Sequence, residues 1–247
     1  LVVDNTMATP FLCQPFEWGA DLVVHSTTKF LSGQGNAVGG VVIDSGKFHW
    51  LGNPKFPSLS TPSPEYNGLT FAETFGDLAY TMYSHAISLR DLGCTQSPMN
   101  AWITLNGIET LPLRMERHCS NSLAVAKFLE KQANVEWVSH AGLESSPYFE
   151  LGKKYLPEGT GSVFTFGVKG GYESGLKMLE SVELFSHVAN IGDTRSLILH
   201  PASTTHRQLT EEQRLAAGAG PEVIRLSIGI ECVEDIISDL GQALKCL

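Results

Sequence analysis

Long hydrophobic runs are missing from this 247-residue sequence, whose apolar stretches stop well short of the roughly 20 residues that a bilayer-crossing helix needs. Clusters of Lys and Arg are missing too, and a net charge of −9 argues against a nucleic-acid surface. Cysteine is sparse. Cys13, Cys94, Cys119, Cys232 and Cys246 are scattered, odd in number and include no C-x-x-C pair, which suits reduced thiols better than a disulfide framework or a zinc site. There is no N-x-S/T acceptor, no internal repeat and no low-complexity tract. These absences predict a cytoplasmic globular protein with neither membrane nor nucleic-acid partners. Hydrophobic content of 43% over this length is enough to bury a proper core in one large or two modest domains. The opening Leu1-Val2-Val3-Asp4 is already strand-like, with no initiator Met or turn before it. The expectation is the carboxyl-terminal portion of a longer polypeptide, with other sheet strands upstream.

What is present centres on Asp21-Leu-Val-Val-His-Ser-Thr-Thr-Lys29. Leu22 to Val24 has the β-branched content of a buried strand, and it ends in hydroxyls, a lysine and a glycine-rich loop. Val2-Val3-Asp4 reads as a neighbouring strand and Val38 to Ile43 as a third. Residues 47–70 carry prolines and aromatics without periodicity and read as a surface excursion. Helical patterns are predicted over 71–92 and over 109–131, the latter kinked near His118 to Ser120. Beyond a boundary placed near residue 130, strands are predicted at 135–138, 162–168, 196–200 and 223–228, with helices at 172–185 and 233–244. The pattern is α/β over 1–130 followed by α+β over 131–247.

A lysine at the carboxyl end of a buried strand sits where open α/β sheets bind ligands. Partly desolvated, Lys29 can lose its proton near neutral pH and attack a carbonyl. Pyridoxal phosphate needs a Schiff-base lysine, an acid at its pyridinium nitrogen and a phosphate cradle. Asp4 can supply the second, and Ser26 and Thr28 part of the third. A surface lysine at a strand end explains the spacing equally well. Arg225 stands inside a strand, where a charge is costly unless paired. Its guanidinium can hold a substrate carboxylate or form a structural ion pair with Glu231 or Asp235. His200 and His206, a weak metal pair, read better as residues that position the loop between them. Gly33-x-Gly35 has the wrong spacing for a dinucleotide loop.

Val3-Asp4-Asn5-Thr6 and His25-Ser26-Thr27-Thr28-Lys29-Phe30 resemble signatures of the Cys/Met-metabolism group of pyridoxal-phosphate enzymes. The resemblance continues through Leu111-Pro-Leu-Arg-Met-Glu-Arg-His118, Val135-Glu-Trp-Val138, His200-Pro-Ala-Ser-Thr-Thr-His206 and Ile224-Arg-Leu-Ser-Ile-Gly-Ile-Glu231, so it spans essentially the whole chain. It implies the α/β fold of pyridoxal-phosphate-dependent transferases (fold type I), pyridoxal 5'-phosphate as cofactor and a homo-oligomer built as a dimer of dimers. It also implies Lys29 as the Schiff-base residue, Asp4, Ser26 and Thr28 as cofactor ligands, and Arg225 as the holder of the substrate α-carboxylate. Asn190 matches a position where many relatives place a serine near that carboxylate. The segment Lys47 to Gly93 resembles an insertion typical of the O-acetylhomoserine sulfhydrylase subgroup. The implied reaction joins O-acetyl-L-homoserine and sulfide into homocysteine and acetate. Cystathionine formation or γ-elimination remains the alternative, as does a non-catalytic binding or oligomerisation piece. Relatives place a ring-stacking tyrosine and further phosphate ligands upstream, so the chain is expected to be inactive without that portion.

Overall fold

The computed structural model describes residues 1–247. The two β-branched runs form the first sheet. β1 (Val2–Asp4) pairs parallel with β2 (Leu22–Ser26), placing Asp4 opposite Val24. β3 (Gly40–Asp44) pairs antiparallel with β2, placing Gly40 opposite Ser26. Directly paired residues project to one face and alternate residues share it, so Asp4, Val24 and Ser26 lie on the same face. Gly40 adds no side chain beside Ser26. Val41, Val42 and Ile43 on β3 are exposed, more apolar surface than a solvated edge strand normally carries.

Residues 47–70 are not a bare excursion. They join the following helices in a small core of Trp50, Leu59, Phe71, Ala72 and Ala79, with Trp50 stacked on Tyr80 at 5.7 Å. Aromatic rings bury enough area to order a proline-rich backbone that lacks periodicity. The helix expected over 71–92 is broken into Phe71–Phe75, Ala79–Tyr83 and a π-helical turn, Ser84–Asp91. Gly76, at φ +53°, provides the first break. The helix expected over 109–131 runs unkinked from Leu111 to Leu129, and a separate helix spans Pro98–Glu109. The break falls at Thr110 because Pro112 fits the first turn of a helix but not its interior.

The second sheet contains β4 (Val135–Ser139), β5 (Val163–Val168), β6 (Ser186–His187), β7 (Leu197–Leu199) and β8 (Val223–Ser227). Its spatial order is β4-β5-β8-β7-β6, antiparallel except for β6 with β7. Helices Gly171–Ser181 and Val233–Leu244 supply Met178, Ile236 and Leu240 to a core that includes Phe166, Ile224 and Leu226. The first of them stops at Ser181 rather than Phe185. Asp239 accepts the Glu183 and Leu184 N–H groups at 2.8 and 2.9 Å and draws the chain out of the helix. Helix Leu111–Leu129 serves both halves: Leu111 and Met115 pack with Phe30 and Leu31, and Val125, Ala126 and Leu129 enter the larger core. We propose a domain boundary near residue 130, supported by the separation of the two sheets on either side of it.

Two buried histidines tie these elements together. His118 Nδ1 donates to the Ile228 carbonyl at 2.7 Å, leaving Nε2 bare, and His140 Nδ1 accepts the Gly142 N–H at 3.0 Å. Burial pushes both down to about 4. Between that value and the ordinary 6.5 the unfolded chain binds more protons than the folded one, so stability falls as pH drops through this window. Each residue is expected to remove roughly 3 kcal/mol across it. Urea unfolding at a series of pH values checks this, and an unchanged midpoint between pH about 6.5 and 4 would refute it.

Candidate active site

β2 runs directly into the turn Thr27–Leu31, where Lys29 leaves helical geometry at φ −96° and ψ −131°. This change of direction sends the Lys29 amine toward the second sheet. There Nζ donates to Asn190 Oδ1. Arg225, in the interior of β8 between Thr165 and Leu199, donates from Nη2 to the Asn190 main-chain oxygen at 3.2 Å. Asn190 therefore joins a lysine and an arginine that are far apart in sequence. Burial first, and the Arg225 charge second, hold the Lys29 amine below the usual lysine range. More of it is the free base at neutral pH.

Arg225 is half-buried, and no carboxylate lies within 4.0 Å of it. The ion-pair alternative fails because Glu231 is otherwise engaged, accepting the Ser196 N–H at 2.6 Å and its hydroxyl at 2.9 Å. A half-buried guanidinium without a counter-charge is suited to an incoming carboxylate. The loop that carries Asn190 is seated by its neighbours. The Thr194 N–H donates to Gly33 O at 2.8 Å, and the Gly192 N–H donates to Ser227 Oγ at 3.0 Å. A Cβ on Gly192 would come 2.7 Å from the Phe30 nitrogen, so only glycine allows the loop to lie this close to the lysine turn.

Asp4 is exposed at the end of β1, and its Oδ1 accepts the Thr6 N–H at 2.9 Å. Bonds from the Thr6 hydroxyl and N–H hold the carboxyl below its ordinary range, so it stays ionised at neutral pH. The Thr6 hydroxyl in turn accepts the Ser26 N–H at 2.8 Å, coupling Asp4 to the strand that ends in Lys29. The Ser26 hydroxyl has no partner in the protein. That of Thr28 accepts the Gly39 N–H at 3.1 Å and donates to the Gly39 carbonyl at 3.3 Å. Lys29, Asn190 and Arg225 converge, while Asp4 and Ser26 share the adjoining sheet face.

His200 bonds Ser203 Oγ at 2.9 Å and the Pro221 carbonyl at 2.8 Å, anchoring the start of its loop. The His206 ring hydrogen-bonds only the neighbouring Thr205 hydroxyl, at 2.9 Å, while its main-chain N–H donates to the Pro201 carbonyl at 2.9 Å. Sequence reasoning missed Thr6 and gave Arg114 no role. The Asp-x-Thr spacing is a local side-chain-to-backbone turn signal, and Arg114 is a charge on the apolar face formed by Leu111, Met115 and His118.

An amine of lowered basicity beside a guanidinium that awaits an acid suits carbonyl chemistry on amino acids, the province of pyridoxal-phosphate enzymes. The residue types fit that group: a lysine of lowered basicity, an ionised carboxylate and a hydroxyl that makes no hydrogen bond within the protein. Residues 1–245 match the family of Cys/Met metabolism PLP-dependent enzymes, and the chain belongs to that family. It is 49% identical to O-acetyl-L-homoserine sulfhydrylase of Leptospira meyeri, over 99% of this chain and 57% of that protein. It is 47% identical to homocysteine synthase of Schizosaccharomyces pombe, over 99% of this chain and 58% of that protein. Among solved structures, a putative O-acetylhomoserine (thiol)-lyase of Campylobacter jejuni, which contains N'-pyridoxyl-lysine-5'-monophosphate, superposes with a TM-score of 0.93. That pair is 41% identical, covering 99% of this chain and 58% of the other. The α/β fold is thus that of a pyridoxal-phosphate enzyme, and the chain spans somewhat more than half the length of these relatives.

Proposed function

We propose that this chain carries the lysine and substrate-anchoring residues of a cytoplasmic O-acetylhomoserine sulfhydrylase, converting O-acetyl-L-homoserine and sulfide into L-homocysteine and acetate. The observation that carries this reading is the meeting of Lys29 and Arg225 at Asn190. When bound, pyridoxal phosphate supplies an electron sink for a carbanion next to the substrate carboxylate. Arg225 grips that carboxylate in its planar fork and orients the Cα–H bond toward Lys29. The Lys29 free amine takes the Cα proton and then a Cβ proton, so that acetate can leave from Cγ; sulfide adds at Cγ, and the protons return to Cβ and Cα. Asn190 Oδ1 accepts from the ammonium so formed and keeps it pointed at the substrate. Asp4 would keep the pyridinium nitrogen protonated, and the Ser26 and Thr28 hydroxyls would hold part of the phosphate. The step belongs to methionine and cysteine biosynthesis, in a homo-oligomer arranged as a dimer of dimers.

The test is product analysis on the full-length protein given O-acetyl-L-homoserine with sulfide or with cysteine. Homocysteine and acetate are expected from sulfide. Cystathionine from cysteine, or an oxo acid and ammonia with no nucleophile added, would overturn the substrate assignment.

A further inference from the structure

Arg114 is a buried cation with nothing negative beside it. It is 8% exposed, and no carboxylate lies within 4.0 Å. Such a charge is tolerated only where its N–H groups are matched by acceptors. Nε donates to Thr110 Oγ1 at 3.2 Å, Nη1 to the Phe30 carbonyl at 2.8 Å, and Nη2 to the Gly107 and Leu31 carbonyls at 2.7 and 3.5 Å. Two of these three carbonyls belong to the residues that immediately follow Lys29.

The packing around the guanidinium is equally specific. Gly107 lies inside helix Pro98–Glu109, where glycine is a poor helix former. A Cβ there would stand 2.3 Å from the Leu31 oxygen and 2.6 Å from the Ser32 oxygen, so glycine lets the helix lie against the main chain of the lysine turn. Gly33 has φ +79°, and a Cβ on it would come 2.4 Å from Arg114 Nη1. The Gly33 carbonyl in turn receives the Thr194 N–H from the loop that bears Asn190. Arg114 and Gly107 thus hold residues 30–33, and the Asn190 loop rests on the same segment through Gly33.

We propose that Arg114, with Gly107 beneath it, is a positioning residue that fixes residues 30–33 so that the Lys29 amine meets Asn190 and the substrate. This rests on the reading of Lys29 as the cofactor-linked lysine. A lysine at position 114 would keep the charge but not the planar fork that spans separate carbonyls.

The experiment uses the full-length holoprotein carrying Arg114→Lys or, separately, Gly107→Ala, which crowds the Leu31 and Ser32 carbonyls without touching the charge. Borohydride reduction and peptide mass mapping read the fraction of cofactor trapped on Lys29, and steady-state kinetics separate kcat from KM. In variants shown to be folded by circular dichroism, the trapped fraction is expected to fall. kcat should drop about 10²-fold, the cost of a small misplacement of a reacting group, while KM, set at Arg225, stays close to its original value. Folded variants with the original trapped fraction and kcat would reduce Arg114 to a structural residue and overturn the proposal. An unsubstituted protein with no cofactor trapped on Lys29 would instead overturn the active-site reading, and the positioning role with it.

Discussion

A Lys29→Ala protein is expected to lose the lysine-linked absorbance of its cofactor and essentially all turnover. Lys29 is the amine that β2 and the following turn carry to Asn190, and burial together with the Arg225 charge keeps it poised as a base. Positioned proton transfer alone is worth about 10²–10⁴-fold, and the loss of the covalent anchor adds to that. Lys29→Arg restores the positive charge without a usable nucleophile and is expected to be equally inactive. Absorbance spectra, borohydride trapping and kcat are the three measurements. Retention of a lysine-linked cofactor in the alanine variant would remove Lys29 from the mechanism.

The second large effect is expected at Arg225. Arg225→Leu should raise KM for the amino-acid substrate and lower kcat/KM by about 10²-fold, because breaking a partly buried carboxylate pair costs about 3 kcal/mol. Arg225→Lys should recover part of the loss, since it keeps the charge and loses the fork. A second consequence separates this role from a purely structural one. The guanidinium disfavours the Lys29 ammonium, so its removal lets the Lys29 pKa rise. The alkaline shift should appear in a pH titration of the lysine-linked absorbance of Arg225→Leu. An unchanged KM together with an unshifted titration would show that Arg225 does not face the substrate.

The legible part of this protein was local. Val2–Asp4 and Leu22–Val24 announce strands through β-branched runs, Val233–Leu244 announces a helix through its apolar stripe, and both readings match the structure. Ser186–His187 was too short to carry a pattern, and the break at Thr110 was visible only in Pro112, one residue that competes with a strong helical period. Residues 47–70 looked irregular because aromatic clustering orders them, and clustering leaves no period in the sequence.

The same division runs through the site. The order of Asp4, Ser26, Thr28 and Lys29 along two neighbouring strands and the turn that follows the second, and the cofactor chemistry those residue types suit, were determined by the sequence itself, because strand alternation and the step into a loop are local properties. Only the tertiary structure decided that Arg225 goes without an acid partner and that Asn190 bridges it to Lys29. It also decided that Arg114 spends its charge on the main chain behind the lysine. Those outcomes depend on which buried groups find partners across long sequence separations, and that depends on three-dimensional packing.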